Sequence, residues 1–181
     1  MRKSLVRDLT VHEAHSSEEA ARLLAAMPGS RLMSGGTDLI PLLKDDIEEA
    51  EHLVALRGGD GLRAIRDEEG TLEIGTLASL SEIVAHPVIQ ERYAALSQAC
   101  RLSASPQLRY MGTIGGNLMQ QTRCWYYRGP VRCWLKGGDT CYARDGENEL
   151  HSIFMTGESS CVSAHPSDPA TALLEIGRAH V

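Results

Sequence analysis

The sequence is short of aromatic residues, of positive charge and of long apolar runs, and each shortage excludes something. Through residue 120 the only aromatic side chains other than histidine are Tyr93 and Tyr110, so a core there must be built from Leu, Ala and Ile. Lys and Arg number 18 against 24 Asp and Glu, a net charge of -6. Wrapping nucleic acid needs clustered cations, so that class of partner is not expected. No apolar run approaches the roughly 20 residues needed to cross a bilayer, and no membrane insertion is expected. Arg2, Lys3 and Arg7 are not followed by an apolar stretch. No secretory signal is visible, and the cytoplasm is the expected location, with export alongside a signal-bearing partner as the alternative. Neither G-x-G-x-x-G nor a Walker loop is present, which removes support for a Rossmann or nucleotide-hydrolase reading.

What the sequence does contain is a cluster of cysteines. Cys100 falls in a helical pattern and reads as a small buried hydrophobe. The other four read Cys124-x8-Cys133-x7-Cys141-x19-Cys161. An odd total without a signal argues against a disulfide framework, and four clustered thiols suggest a metal site. The spacing matches neither the short pairs of a zinc finger nor the tight run of bacterial ferredoxins. On spacing alone, structural zinc and an iron–sulfur cluster stand even. Trp125, Tyr126, Tyr127, Trp134, Tyr142 and Phe154 share this stretch, so residues 120–162 read as an addition with its own packing. Nearby His151 and His165 read as surface residues.

Before that stretch the chain reads as alternating strands and helices. Ser16 and Glu19 open a helix in the manner of a capping box, with Ala20, Leu23, Leu24 and Met27 as its stripe. Strands are expected at Arg31–Ser34, His52–Leu56, Leu62–Arg66 and Thr71–Gly75. Helices are expected at Leu39–Lys44, Leu80–Val84, Val88–Leu102 and Ala170–Leu174. Ser103 to Pro106 reads as a break. Residues 175–181, ending Ile176-Gly-Arg-Ala-His-Val181, match the translation of a sequencing adapter and are expected to be a non-native tail.

Two glycine turns carry the binding chemistry. Ser34-Gly35-Gly36-Thr37-Asp38 links a strand to a helix, which exposes backbone N–H groups where no Cβ blocks an anion. Thr113-Ile114-Gly115-Gly116-Asn117 is a second turn of the same kind. Either alone is a common turn. Together they suit the two halves of a long dinucleotide such as FAD.

These motifs resemble the FAD-binding subunit of molybdenum hydroxylases, the relatives of xanthine dehydrogenase, carbon monoxide dehydrogenase and aldehyde oxidoreductases. The resemblance rests on Leu32-Met33-Ser34-Gly35-Gly36-Thr37-Asp38-Leu39, on Ser105 to Gly112 before the second turn, on Thr113 to Asn117, and on Ser167-Asp168. It covers about residues 15–174. The resemblance implies an α+β, two-lobed FAD-binding fold of the vanillyl-alcohol oxidase (PCMH) type. The first lobe would span residues 1–57 and the second residues 58–174, with the cysteine-rich loop at about 120–162 inserted in it. It also implies a C-terminal subdomain that this sequence does not include. Leu32 to Leu39 would wrap the pyrophosphate, Thr113, Gly115, Gly116 and Asn117 would contact the diphosphate and ribityl side, and Asp168 would also touch the FAD.

Arg123-Cys124-Trp125-Tyr126-Tyr127 is similar to the branch of 4-hydroxybenzoyl-CoA reductase and periplasmic aldehyde oxidoreductases, whose flavin subunit holds an extra 4Fe–4S cluster. That resemblance implies Cys124, Cys133, Cys141 and Cys161 as cluster ligands. Arg123, Arg128 and Arg132 would offset the cluster's charge. The implied function is electron transfer by FAD between iron–sulfur centres and an external carrier. The implied partners are a large molybdenum-cofactor subunit and a small 2Fe–2S subunit. No catalytic residue for an organic substrate is expected on this chain. A zinc-stabilised binding module and a stand-alone FAD oxidase of the vanillyl-alcohol oxidase type are the alternatives.

Overall fold

The computed structural model describes residues 8–59, 61–153 and 161–176. Phe154, the basic residues before Asp8 and residues 177–181 of the expected tail lie outside the described residues.

The chain opens with strand β1 (Thr10–Ala14), helix α1 (Ser17–Ala26), strand β2 (Ser30–Met33), helix α2 (Leu39–Lys44) and strand β3 (His52–Leu56). The three strands are parallel in the order β1-β3-β2. Leu53, Val54, Ala55 and Leu56 of central β3 are all buried. A strand covered on both faces needs such an unbroken apolar run. Strand β1 was not among the expected strands. It lies at the sheet edge with Val11 half exposed, so its pattern carries little apolar signal. Helix α1 lays Ala20, Leu23 and Leu24 against Ala14, Val54 and Leu56. Ser16 Oγ accepts the Glu19 N–H at 3.0 Å. The Glu19 carboxylate accepts from His15 N–H at 2.9 Å rather than from Ser16, so half of the expected capping box forms.

Strands β4 (Ile65–Glu68) and β5 (Thr71–Ile74) form a hairpin. Its two turn residues, Glu69 and Gly70, both have positive φ, 48° and 83°, the twist-matched geometry of a two-residue loop. Strand β4 begins later than the expected Leu62 because Leu62 and Ala64 are bonded back to Gly59 and Gly61 in a turn. Helix α3 (Leu80–Ala85) carries a complete capping box between Ser79 and Glu82. The single helix expected over Val88–Leu102 is two, α4 (Pro87–Arg92) and α5 (Ala94–Leu102). Tyr93 leaves helical geometry between them (φ -129°, ψ 47°), and its ring packs on the core.

The expected break holds at Ser103, Ala104 and Ser105, and Pro106 then starts another helix, α6 (Pro106–Met111), that was not among the expected helices. Ser105 caps it and Pro106 occupies its first turn, where a missing N–H costs nothing. The second glycine turn is itself a short helix, α7 (Ile114–Leu118), capped by Thr113. After the cysteine-rich segment, α10 (Asp168–Ile176) packs on α5 and α7.

Ala78, Leu80, Ile83, Ile89, Leu96, Cys100 and Ile114 form the core of this second part. Full burial of an Ile or Leu contributes about 1.5–3 kcal/mol. Cys100 sits there as a hydrophobe, as expected, and burial pushes its thiol up to about 12. Among the described residues no helix is long and apolar enough to cross a membrane.

Candidate functional site

The two glycine turns meet. Ser34 Oγ lies 2.8 Å from Thr113 Oγ1, which joins the end of β2 to the cap of α7. Their glycines are demanded first by the protein itself. A Cβ on Gly35 would sit 1.9 Å from the Met111 carbonyl oxygen, and one on Gly115 would sit 1.9 Å from Thr76 Oγ1. Gly36 has φ +71°, a left-handed geometry that disfavours side chains. A Cβ on Gly116 would press on both Ser34 Oγ and Thr113 Oγ1 at 3.0 and 3.1 Å.

Beside the junction lies an open cleft of about 260 Å³. Thr37, Asp38, Thr113, Gly116, Asn117 and Asp168 wall it, as do Gln120 and Arg123. Leu32, Met33, Ser34, Gly35, Gly36, Leu39 and Gly115 shape the turns but are not among the cleft's walls. Leu32 is half exposed on β2. Ser167 Oγ donates to Asn117 Oδ1 at 2.6 Å and accepts from Ala170 N–H at 3.0 Å. That pair fixes the start of α10, and hence Asp168, against α7. Ala104 also walls the cleft. It holds φ +51°, a strained geometry for a residue with a Cβ. Arg109 secures it by donating to the carbonyls of Ser103 and Ala104 at 3.1 and 2.9 Å. No sequence signal marked Ala104, because strain at an alanine leaves no trace in residue type.

The backbone amides of the two turns differ. Those of α7 are spent inside the protein. Ile114 N–H donates to Ala78 O at 2.8 Å, Gly115 N–H to Thr76 O at 3.0 Å, and Asn117 N–H to Thr113 O at 2.9 Å. Gly116 N–H donates to Thr113 Oγ1 at 3.1 Å. This corrects the expectation that the second turn presents free N–H groups to an anion. The amides of Gly36, Thr37 and Asp38 find no protein acceptor among the described residues. The first turn is therefore the half that keeps free backbone donors, where successive N–H groups around a left-handed residue make a concavity.

The Asp38 carboxylate does not point into this arrangement as a lone charge. Its Oδ1 accepts from Arg123 at 2.6 Å and from Arg128 at 2.9 Å, and its Oδ2 accepts the Gln121 N–H at 2.8 Å. Burial opposes the charge. The Gln121 N–H and the Arg128 and Arg123 guanidiniums outweigh it and hold the carboxyl below the usual carboxylate range. Arg128 also donates to Thr122 O and Gln121 O at 2.8 and 3.0 Å. Arg123 and Arg128 are thus partners of Asp38, rather than the cluster counter-charges expected of them, and they clamp the start of the cysteine-rich segment to the first turn.

The segment beyond is built on a repeated device. Cys124, Cys133 and Cys141 each immediately precede one helical turn: α8 (Trp125–Arg128), a 3-10 turn (Trp134–Lys136) and α9 (Tyr142–Asp145). Each turn opens with an aromatic residue: Trp125, Trp134 or Tyr142. The Cys-aromatic doublet is legible in the sequence. Cys124, Cys133, Cys141 and Cys161 all line one small pocket, with a cavity of about 10 Å³, together with Tyr126, Tyr127, Trp134, Leu135, Tyr142 and Ala143. Among the described residues neither a carboxylate nor an imidazole lines it, and four thiols do. A single zinc needs four sulfurs about 2.3 Å from one point. Among the described residues no group of three or more His, Cys, Asp or Glu is gathered to hold one ion. The four expected cluster ligands border one small space without closing around a metal site.

Tyr127 is buried and donates to Glu48 Oε1 at 2.8 Å, while Glu48 also pairs with Arg31 at 3.2 Å. With Leu42 and Ile47 this seats the segment on α2. His151 departs from the surface position expected of it. Its ring stacks on Tyr126 at 5.2 Å with both nitrogens buried. His165 is exposed, as expected, with Nε2 3.0 Å from Leu118 O.

Replacing Asp38 with Asn should release this clamp and cost about 2 kcal/mol, the scale of charge-assisted hydrogen bonds. Both tryptophans lie in the segment, so their emission should change. In the parent the carboxyl is lowered on folding. Its contribution is therefore complete above about pH 4 and vanishes as the pH falls through the lowered folded-state value. Denaturant unfolding and an acid titration of tryptophan emission check both points. Unchanged stability and emission in the variant would contradict the clamp.

The family described as the FAD binding domain in molybdopterin dehydrogenase matches residues 7–179. The aldehyde oxidoreductase FAD-binding subunit PaoB of Escherichia coli K12 is 36% identical over 172 residues, covering 93% of this chain and 53% of that protein. The carbon monoxide dehydrogenase medium chain of Hydrogenophaga pseudoflava is 35% identical over 108 residues, 59% of this chain and 38% of that one. A solved structure of carbon monoxide dehydrogenase from Hydrogenophaga pseudoflava, lacking the Mo-pyranopterin moiety of its cofactor, superposes with a TM-score of 0.60 at 33% identity. It covers 62% of this chain and 40% of that chain. The chain spans about half the length of PaoB and less of the medium chain. The turns that meet at Ser34 and Thr113, the mixed helix and strand fold and a family match over nearly all of the sequence agree: the chain belongs to the FAD-binding domains of molybdopterin dehydrogenases.

Proposed function

We propose that this chain is the flavin- and cluster-carrying part of a molybdenum hydroxylase subunit that passes electrons between iron–sulfur centres and an external carrier. The observation that carries this reading is the juxtaposition of the two sites. A cleft walled by both glycine turns and a pocket lined by four cysteines are joined through the Asp38 clamp. FAD would lie in the cleft. Its diphosphate would meet the amides of Gly36, Thr37 and Asp38, and its polar chain would meet Thr113, Asn117 and Asp168. When bound, the flavin would supply one- and two-electron chemistry. The protein's residues would hold it, keep the two turns in register through Ser34 and Thr113, and screen the cysteine pocket behind aromatic rings.

The four cysteines would hold one 4Fe–4S cluster, for which four thiolates are the usual complement. The match to PaoB runs over 172 residues, against 108 for the carbon monoxide dehydrogenase medium chain. That difference supports placement in the branch with the extra segment. The naming of relatives as medium chains supports large and small partner subunits. A molybdenum-cofactor subunit would hold the organic substrate and a 2Fe–2S subunit would relay electrons. This chain offers positioning groups, not a general base.

An absorption spectrum of anaerobically purified full-length protein, with metal and sulfide analysis, tests the reading. It predicts two flavin bands, a broad iron–sulfur shoulder and about four irons per chain. Cys→Ser at 124, 133, 141 or 161 should each lower iron, whereas Cys100→Ser should leave iron unchanged and cost about 1–3 kcal/mol of stability by burying a hydroxyl. Protein with about one zinc, no iron and no sulfide would overturn the cluster.

A further inference from the structure

We infer that Arg123 is the cation that the cleft offers to the diphosphate of the flavin dinucleotide, which makes the cysteine-rich segment part of the flavin site. The inference rests on reading the cleft as the flavin site; it does not depend on what the cysteines bind.

A dinucleotide diphosphate brings two negative charges. The residues that wall the cleft include two acids, Asp38 and Asp168, and Arg123 is the single Lys or Arg among them. The α7 amides are committed to protein acceptors. The first turn's amides can donate hydrogen bonds but carry no full charge. Without a cation, the two carboxylates would repel the ligand in a partly dehydrated site.

The geometry around Asp38 lets it give up Arg123 and keep its other partners. Arg128 bonds the same Oδ1 at 2.9 Å and is locked by two backbone carbonyls, with 21% of its side chain exposed. Gln121 N–H satisfies Oδ2. Asp38 therefore keeps an ion pair and a backbone bond if Arg123 turns away. Arg123 is the outer member, 56% exposed, and its other partner is the neutral amide of Gln120. With Arg128 already opposing Asp38, the charge on Arg123 is the surplus, and it sits at the cleft wall. A guanidinium presents a planar fork of donors matched to phosphate oxygens. Arg123 immediately precedes Cys124, so folding of the segment sets where this cation stands.

The test is titration of flavin-depleted full-length protein with FAD and, separately, with riboflavin, which has no phosphate. Arg123→Gln should weaken FAD about tenfold, the effect of losing one charge-assisted contact. It should leave riboflavin affinity unchanged and flatten the salt dependence of FAD binding. Arg123→Lys should recover part of the loss. Iron content should match the parent, because Arg128 keeps the clamp. FAD affinity unchanged in Arg123→Gln would overturn the inference. An equal loss of FAD and riboflavin would also overturn it, because the residue would then only support the fold. A parent protein that binds neither flavin would overturn the cleft reading, and this inference with it.

Discussion

Everything distinctive about the molecule converges on the carboxylate of Asp38. It stands at the end of the first glycine turn and takes three donors from one stretch of chain, Gln121, Arg123 and Arg128. That stretch leads from α7 into the cysteine pocket. One side chain thus ties the first glycine turn, the wall of the cleft and the first cysteine turn together. The cost of holding a charge there is met by donors on both oxygens, and truncating the carboxylate would leave Arg128 without its ionic partner in a half-buried position. Tyr127 and Glu48 add a second attachment on the far side of α2. The segment is therefore docked at two points rather than hanging as a long loop.

The glycines take on a different meaning in this arrangement. In a sequence, paired glycines before a helix suggest a backbone bared for a phosphate. Here Gly35 makes room for the Met111 carbonyl and Gly115 for Thr76. Their first duty is to let two parts of the chain touch, which they do where Ser34 meets Thr113. Fewer groups stay open to a ligand than the motif suggests: the amides of the first turn and a handful of side chains around the cleft. Substitutions at Gly35 or Gly115 would disturb the protein before any flavin is bound, so they are poor reporters of binding.

Much of the fold was legible because it follows local rules. β3 and α2 fall where an apolar run and a helical spacing put them, and α1 starts at its cap. What was missed obeys tertiary rules. The edge strand β1 has little apolar signal, and Tyr93 breaks a helix that periodicity alone would continue. α6 hides behind a Ser-Pro pair that reads equally as a stop or a start. At the site, residue types pointed to the two turns and to the four cysteines; the structure joins the turns, while the cysteines line one small pocket without gathering as a metal site among the described residues. The amide bookkeeping of α7, the strained Ala104 and the partnership of Arg123 and Arg128 with Asp38 depend on contacts between residues far apart in the chain, such as 38 with 123 and 128. A single sequence carries no mark of those.

The central claim is that the flavin cleft and the cysteine-rich segment form one mechanical unit. Hydrogen exchange on flavin-depleted full-length protein, before and after adding FAD, tests it most directly. Local opening reports which amides move together. The account predicts that FAD slows exchange in both glycine turns and, in step with them, at residues 121–128 leading into the cysteine pocket. Protection confined to the two turns, with 121–128 exchanging as before, would contradict it.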